Sequence, residues 1–145
     1  MKKELKYQGF SLLELLVGLF LTGMLLLLWA TSRPAQSPRM LLDNGAREIQ
    51  ARLYHARYHA VLGGQKVRIS FNEGVCTTEL YSAARNLWER KETRLIEGVH
   101  IEANNRPIFH PAGTVSNLAT IRIINSAGEY RITLAISGRI RMTKV

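Results

Sequence analysis

One carboxylate in this 145-residue chain stands where carboxylates are costly: Glu14, one turn inside an apolar run that extends from residue 10 to residue 29. A charge at bilayer depth costs on the order of 2.5–3.5 kcal/mol, so it is kept with a partner and for a purpose. A second constellation closes the chain, Gly138-Arg139-Ile140-Arg141. Two guanidinium groups two residues apart share one face of a strand. Such a pair suits phosphate oxygens better than base edges, with Gly138 admitting a close backbone approach. Arg122 and Arg131 either enlarge this face or pair with Glu129 and Glu102 as a solvated surface. His55 and His59, four apart in a helical pattern, can share a metal, but no third ligand lies near them in sequence. They read as solvated or packing side chains, and no metal site is assigned. Cys76 is the only cysteine, which excludes an intramolecular disulfide, and its alternating surroundings make it a small buried apolar residue. No Ser/His/Asp arrangement, phosphate loop or ligand cluster stands out. No catalytic residue or cofactor is assigned, and the chain reads as an interaction protein rather than an enzyme.

The elements that position Glu14 come first. Residues 10–29 make about 30 Å of helix, the thickness of the bilayer hydrocarbon. Ser11 and Thr22 can bond back to their own helix, and Gly18 and Gly23 are small surfaces where another helix can approach. Lys2, Lys3 and Lys6 against Glu4 make the preceding segment basic, which keeps the N-terminus cytoplasmic and residues 30–145 outside. The whole chain carries +9; without residues 1–9 it keeps 17 basic and 10 acidic side chains, net +7. That excess attracts nucleic acid, anionic lipid or acidic partners without naming a site. Three processing schemes compete: a secretory signal cut near Ala30-Thr31-Ser32, a plain signal anchor, and a leader cut between Gly9 and Phe10, ahead of the span. Glu14 favours the third, since the other two have no use for a buried carboxylate.

The stretch GFSLLELLVGLFLTGMLLLL resembles the class III signal of type IV pilins and type II secretion pseudopilins. Gly9 stands at the last leader position, the aromatic Phe10 at the new N-terminus and Glu14 at the fifth mature position. The resemblance implies cleavage after Gly9 by a prepilin peptidase and N-methylation of Phe10. It also implies filament assembly in which the Glu14 carboxylate meets the cationic N-terminus of a neighbouring subunit. In a low dielectric that pairing is preferred over two isolated charges. At the other end, Ile108-Phe109-His110-Pro111-Ala112-Gly113-Thr114 and Ser137-Gly138-Arg139-Ile140-Arg141 resemble the closing segment of the GspH/FimT family of minor pseudopilins and minor pilins. In FimT-like minor pilins a matching Gly-Arg-x-Arg is implicated in DNA uptake, which would make Gly138, Arg139 and Arg141 candidate DNA-binding residues; secretion pseudopilins carry a related ending without that role. The implied partners are other pilins or pseudopilins, the peptidase, the inner membrane and, in the second case, DNA. The implied place is the bacterial inner membrane, single-pass, with the C-terminal domain outside the cytoplasm, then a filament, near its tip.

Four segments follow: a leader, 1–9; a transmembrane and assembly helix, 10–30; a proline-containing joint, 31–42, with a kink or extended stretch at Pro34 and Pro38; and an exported globular domain, 43–145. A second helix is expected from Asp43 or Asn44 as N-cap to Gly63-Gly64, with Ile49, Leu53, Ala56 and Ala60 as its apolar stripe and Arg47, Arg52 and Arg57 on other faces. From residue 65 the period becomes two. Strands are expected at 66–71, 75–81, 86–90, 93–101, 119–124, 129–136 and 139–143, with a loop over 103–119. The fold class is α+β, type IV pilin-like: an N-terminal transmembrane helix, then a second, short helix packed on antiparallel β-sheet.

Overall fold

The computed structural model describes residues 11–31 and 36–145. They belong to two units divided between residues 35 and 36, and each is taken by itself. Residues 1–10, with Gly9 and Phe10, and residues 32–35, with Pro34, lie outside the described residues.

The first unit is one helix, α1, Leu12–Thr31. Ser11 starts it: its side-chain oxygen accepts from the Leu13 amide at 3.3 Å and its carbonyl from Leu15 at 3.1 Å. Thr22 donates back to the carbonyls of Gly18 at 2.8 Å and Leu19 at 3.0 Å, which hides its hydroxyl from an apolar medium. Residues 12–30 have a mean hydropathy of 2.3, long and apolar enough to cross a membrane. Leucines lie on every side, and all side chains from residue 11 to 30 are exposed. A helix apolar all round needs a protein interior or a bilayer around it.

The second unit is α+β. Its helix, α2, runs Pro38–Gly63. The expected start at Asp43 or Asn44 is corrected: Pro38 opens the helix instead of breaking it. At the first helical position proline lacks only an N–H that has no partner there anyway. Ser37 caps it, accepting from the Met40 amide at 3.3 Å, and Asn125 Nδ2 donates to the Pro38 carbonyl at 2.7 Å from a distant hairpin. Gly64 ends it in the left-handed conformation, φ 62°, as expected. The stripe Ile49, Leu53, Ala56 and Ala60 is buried, extended towards the N-terminus by Leu42 and Ala46.

Nine strands follow: β1 Val67–Asn72, β2 Val75–Ser82, β3 Leu87–Leu95, β4 His100–Ala103, β5 Ile108–Phe109, β6 Val115–Ser116, β7 Thr120–Asn125, β8 Gly128–Leu134 and β9 Ile140–Lys144. They form two antiparallel sheets, ordered β3-β2-β1-β5-β6 and β4-β7-β8-β9. The expected strand 93–101 is split. Its first residues finish β3, Gly98 turns the chain at φ 74°, and β4 begins the other sheet. The expected loop 103–119 holds the two-residue pair β5 and β6. Helix α2 lies across both sheets, touching β1, β5, β7, β8 and β9. Phe109, Ile69, Ile121, Ile123 and Ile132 fill the space beneath it.

Candidate functional site

Glu14 sits in the first turn of α1, near the positive end of the helix dipole, which favours a carboxylate there. Its neighbours Leu13 and Leu15 are exposed, as is the rest of the helix. At Gly18 and Gly23 an added Cβ would meet nothing within 4 Å. The helix therefore presents a carboxylate and two small notches on a surface its own unit leaves open.

The C-terminal arginines divide into two kinds. Arg122 and Arg131 face each other across β7 and β8, and β4 adds Glu102 opposite Arg122. Arg122 binds both oxygens of Glu129 at 2.9 and 2.8 Å and Glu102 at 2.8 Å; Arg131 reaches Glu129 at 3.4 Å. The hydrogen bonds from Arg122 pull the Glu129 carboxyl down to about 2. These two arginines are already neutralised and do not extend a cationic face. Arg139 and Arg141 are exposed, and neither forms an ion pair or hydrogen bond with a described side chain. Arg141 stands opposite Thr133 in the ladder, and the Ala135 amide bonds to the Arg139 carbonyl at 3.0 Å, continuing the register. Period two then turns both guanidinium groups to the same side.

Gly138 does not stand open to a ligand. It is buried at φ 78°, and a Cβ there would fall 2.4 Å from the Gly113 carbonyl and 2.6 Å from Arg57 Nε. The residue it admits is Arg57 of α2, which donates from Nε to the Gly113 carbonyl and from Nη2 to the Ser137 carbonyl, both at 3.2 Å. The turn His110–Thr114 closes through His110 N to the Thr114 carbonyl at 2.9 Å, and Val115 N bonds the Ile136 carbonyl at 2.9 Å. The two C-terminal motifs thus meet in space, clamped by one arginine. Arg57 was expected only as a polar-face residue, because its partners are backbone carbonyls 56 and 80 positions away. Gly113 and Gly138 are both left-handed, φ 79° and 78°, and no residue near Arg57 in the sequence signals its contact with them.

His55 and His59 stack edge to face at 4.4 Å on the exposed side of α2. Among the described residues, no group of three His, Cys, Asp or Glu side chains is placed to hold a metal ion. Cys76 is buried between Phe71 and Arg94 in the ladder, and desolvation pushes its thiol up to about 11.

The family described as a prokaryotic N-terminal methylation motif matches residues 5–30, the segment that contains Gly9, Phe10 and Glu14. The minor pseudopilin EpsH of the Vibrio cholerae type II secretion system is similar in structure, with a TM-score of 0.61 at 18% identity over 74% of this chain and 96% of that one. The Pseudomonas aeruginosa type IV minor pilin FimU is similar too, with a TM-score of 0.60 at 17% identity over 72% and 90% of the two chains. The fold is that of a type IV pilin-like minor pseudopilin. Among curated proteins none matches this sequence. In pilin-like terms, α1 is the N-terminal apolar helix and α2 the helix that carries the two sheets.

Proposed function

We propose that this chain is a minor subunit of a type IV filament, of the secretion or pilus kind, cut between Gly9 and Phe10, methylated on Phe10 and assembled through α1. The observation that carries it is Glu14 in a helix apolar on every side, inside a methylation motif. Before assembly the helix is held in the inner membrane, with residues 36–145 outside the cytoplasm. On assembly the Glu14 carboxylate meets the cationic amine of a neighbouring subunit. An isolated charge in a low dielectric is far less stable than a paired one, so the pair selects one axial register. Glycines 18 and 23 let adjacent helices close on each other. The place in the filament is near its tip. Glu14→Ala is the test: cleavage and membrane insertion stay as in the parent while incorporation into filaments falls. Normal incorporation would overturn the register role.

A second reading is favoured by Arg139 and Arg141, exposed and without acidic partners among the described residues, while Arg122 and Arg131 are neutralised. On it, the subunit contacts DNA phosphates through the start of β9. A mobility shift with full-length protein in detergent measures this; the double substitution Arg139→Ala and Arg141→Ala removes the shift and flattens its salt slope. Binding that persists in the double variant excludes that face.

A further inference from the structure

A cationic face gathers where the second unit begins. Arg39, Asp43 and Arg47 recur every four residues and share one stripe of α2. Tyr130 of β8 comes up against that stripe, its hydroxyl donating to Asp43 Oδ1 at 2.8 Å. Tyr130 pairs with Lys144 of β9 in the ladder, and the Lys144 ammonium lies 5.4 Å from the centre of the Tyr130 ring. The Asp43 hydrogen bond raises the Tyr130 phenol above its ordinary pKa, and the charges of Arg47 and Arg39 act against that rise, which places both close to the phenol. Arg39, Arg47 and Lys144 are exposed, and none of them forms an ion pair among the described residues. Asp43 is engaged by Tyr130, which leaves three cations around one carboxylate. Met40, beside Arg39 in the first turn of α2, is an apolar side chain left 52% exposed.

We infer, on the reading that α1 is held in the membrane, that this face rests on the anionic phospholipid headgroups of that membrane. Arg39, Arg47 and Lys144 lie against the phosphates and Met40 enters between them. Chain length selects this partner over others. Only four residues separate Thr31, the end of α1, from Gln36, where the second unit begins, and fully extended they span no more than ~18 Å. Arg39, three residues further on, therefore stays within reach of the headgroups however the domain turns. A dissolved polyanion must be captured from solution, whereas the headgroups are kept near this face by the chain itself. Basic side chains beside a span are drawn to an anionic surface, and each adds to the attraction. An apolar side chain among them deepens the contact by entering the headgroup boundary. Arg139 and Arg141 take no part: Arg141 pairs with Thr133, on the side of the sheet away from Tyr130 and Lys144. The contact lays the domain against the membrane until a filament takes the subunit up.

The test uses full-length protein carrying Asn44→Cys, an exposed position next to the stripe, labelled with a fluorophore. It is placed in nanodiscs of phosphatidylcholine, or of equal parts phosphatidylcholine and phosphatidylglycerol, each with a headgroup spin-labelled lipid as quencher. Quenching is roughly threefold stronger in the anionic discs. It falls to the neutral level in ~1 M salt, where screening leaves a range of only ~3 Å. Arg39→Gln with Arg47→Gln and Lys144→Gln brings it to that same level with unchanged circular dichroism, and Arg139→Ala with Arg141→Ala leaves it as in the parent. Equal quenching in the two discs, or full quenching in the triple variant, overturns the assignment. Binding of oligo-dT to protein in the neutral discs that is lost in the triple variant also overturns it and makes the face a nucleic-acid site. Protein that does not stay with the discs overturns the membrane reading of α1 itself, whereas protein that stays without charge-dependent quenching overturns only the headgroup contact.

Discussion

Two helices of similar length behave in opposite ways. Helix α2 hides one stripe and shows the rest to water; α1 hides nothing. Small residues make α2 fit: Ala46, Ala56 and Ala60 let it lie close to the strands, and Gly45 leaves room for Val99, which would stand 3.1 Å from an added Cβ. In α1 the small residues, Gly18 and Gly23, face empty space. The same device is thus satisfied in one helix and unfilled in the other. A helix whose packing surface is complete stabilises its own unit, whereas one whose surface is open has its partners elsewhere.

Unfolding measurements can break that contrast. The largest effect is expected from Leu53→Ala in α2, about 3 kcal/mol by denaturant titration, since its fully buried side chain leaves a cavity. Leu19→Ala in α1 should change the same transition by less than about 0.5 kcal/mol; equal costs would end the comparison. Next comes Gly138→Ala, about 2 kcal/mol, because a Cβ at φ 78° collides with the Gly113 carbonyl. Arg57→Met keeps the stem and loses both carbonyl bonds, for about 1.5 kcal/mol, and it should sensitise the 135–139 turn to proteolysis. Ser37→Ala removes the α2 cap at about 1 kcal/mol. The smallest effect is in acid. Glu129 has its pKa depressed from 4.5 to about 2, so its contribution is present above the unfolded value and lost as pH falls through the folded one. Glu129→Gln should therefore flatten the acid limb of stability between about pH 4.5 and 2, measured by thermal melts.

The parts legible in sequence were those set by local periodicity. The stripe from Ile49 to Ala60, the Gly64 cap, and the hairpins at Glu73-Gly74 and Asn125–Gly128 all follow from residues within a few positions of each other. Pro38 misled because proline at a first helical turn and proline as a breaker look alike until the cap is seen. The break at Gly98 was missed by reading 93–101 as one strand, whose two parts join different sheets. β5 and β6 are too short to show a period and exist through pairing with β1 and with each other. Of the candidate residues, Glu14 stood out in the sequence by its cost in an apolar run, and the structure places it in the first turn of α1. The different fates of Arg122 and Arg141 were not, because which arginine meets a glutamate depends on strand register. Gly138 was read as room for a ligand; it is room for Arg57.

Burial of Cys76 has a practical side. A thiol pushed to about 11 carries almost no thiolate at neutral pH, and thiolate is the form that reacts. The domain is therefore blind to maleimides and to mixed-disulfide exchange while it stays folded. A single cysteine introduced at Arg90, Arg139 or Tyr58 becomes a unique chemical address, with no need to remove the native one. Labelling of Cys76 itself then serves as a clock for global opening of the domain.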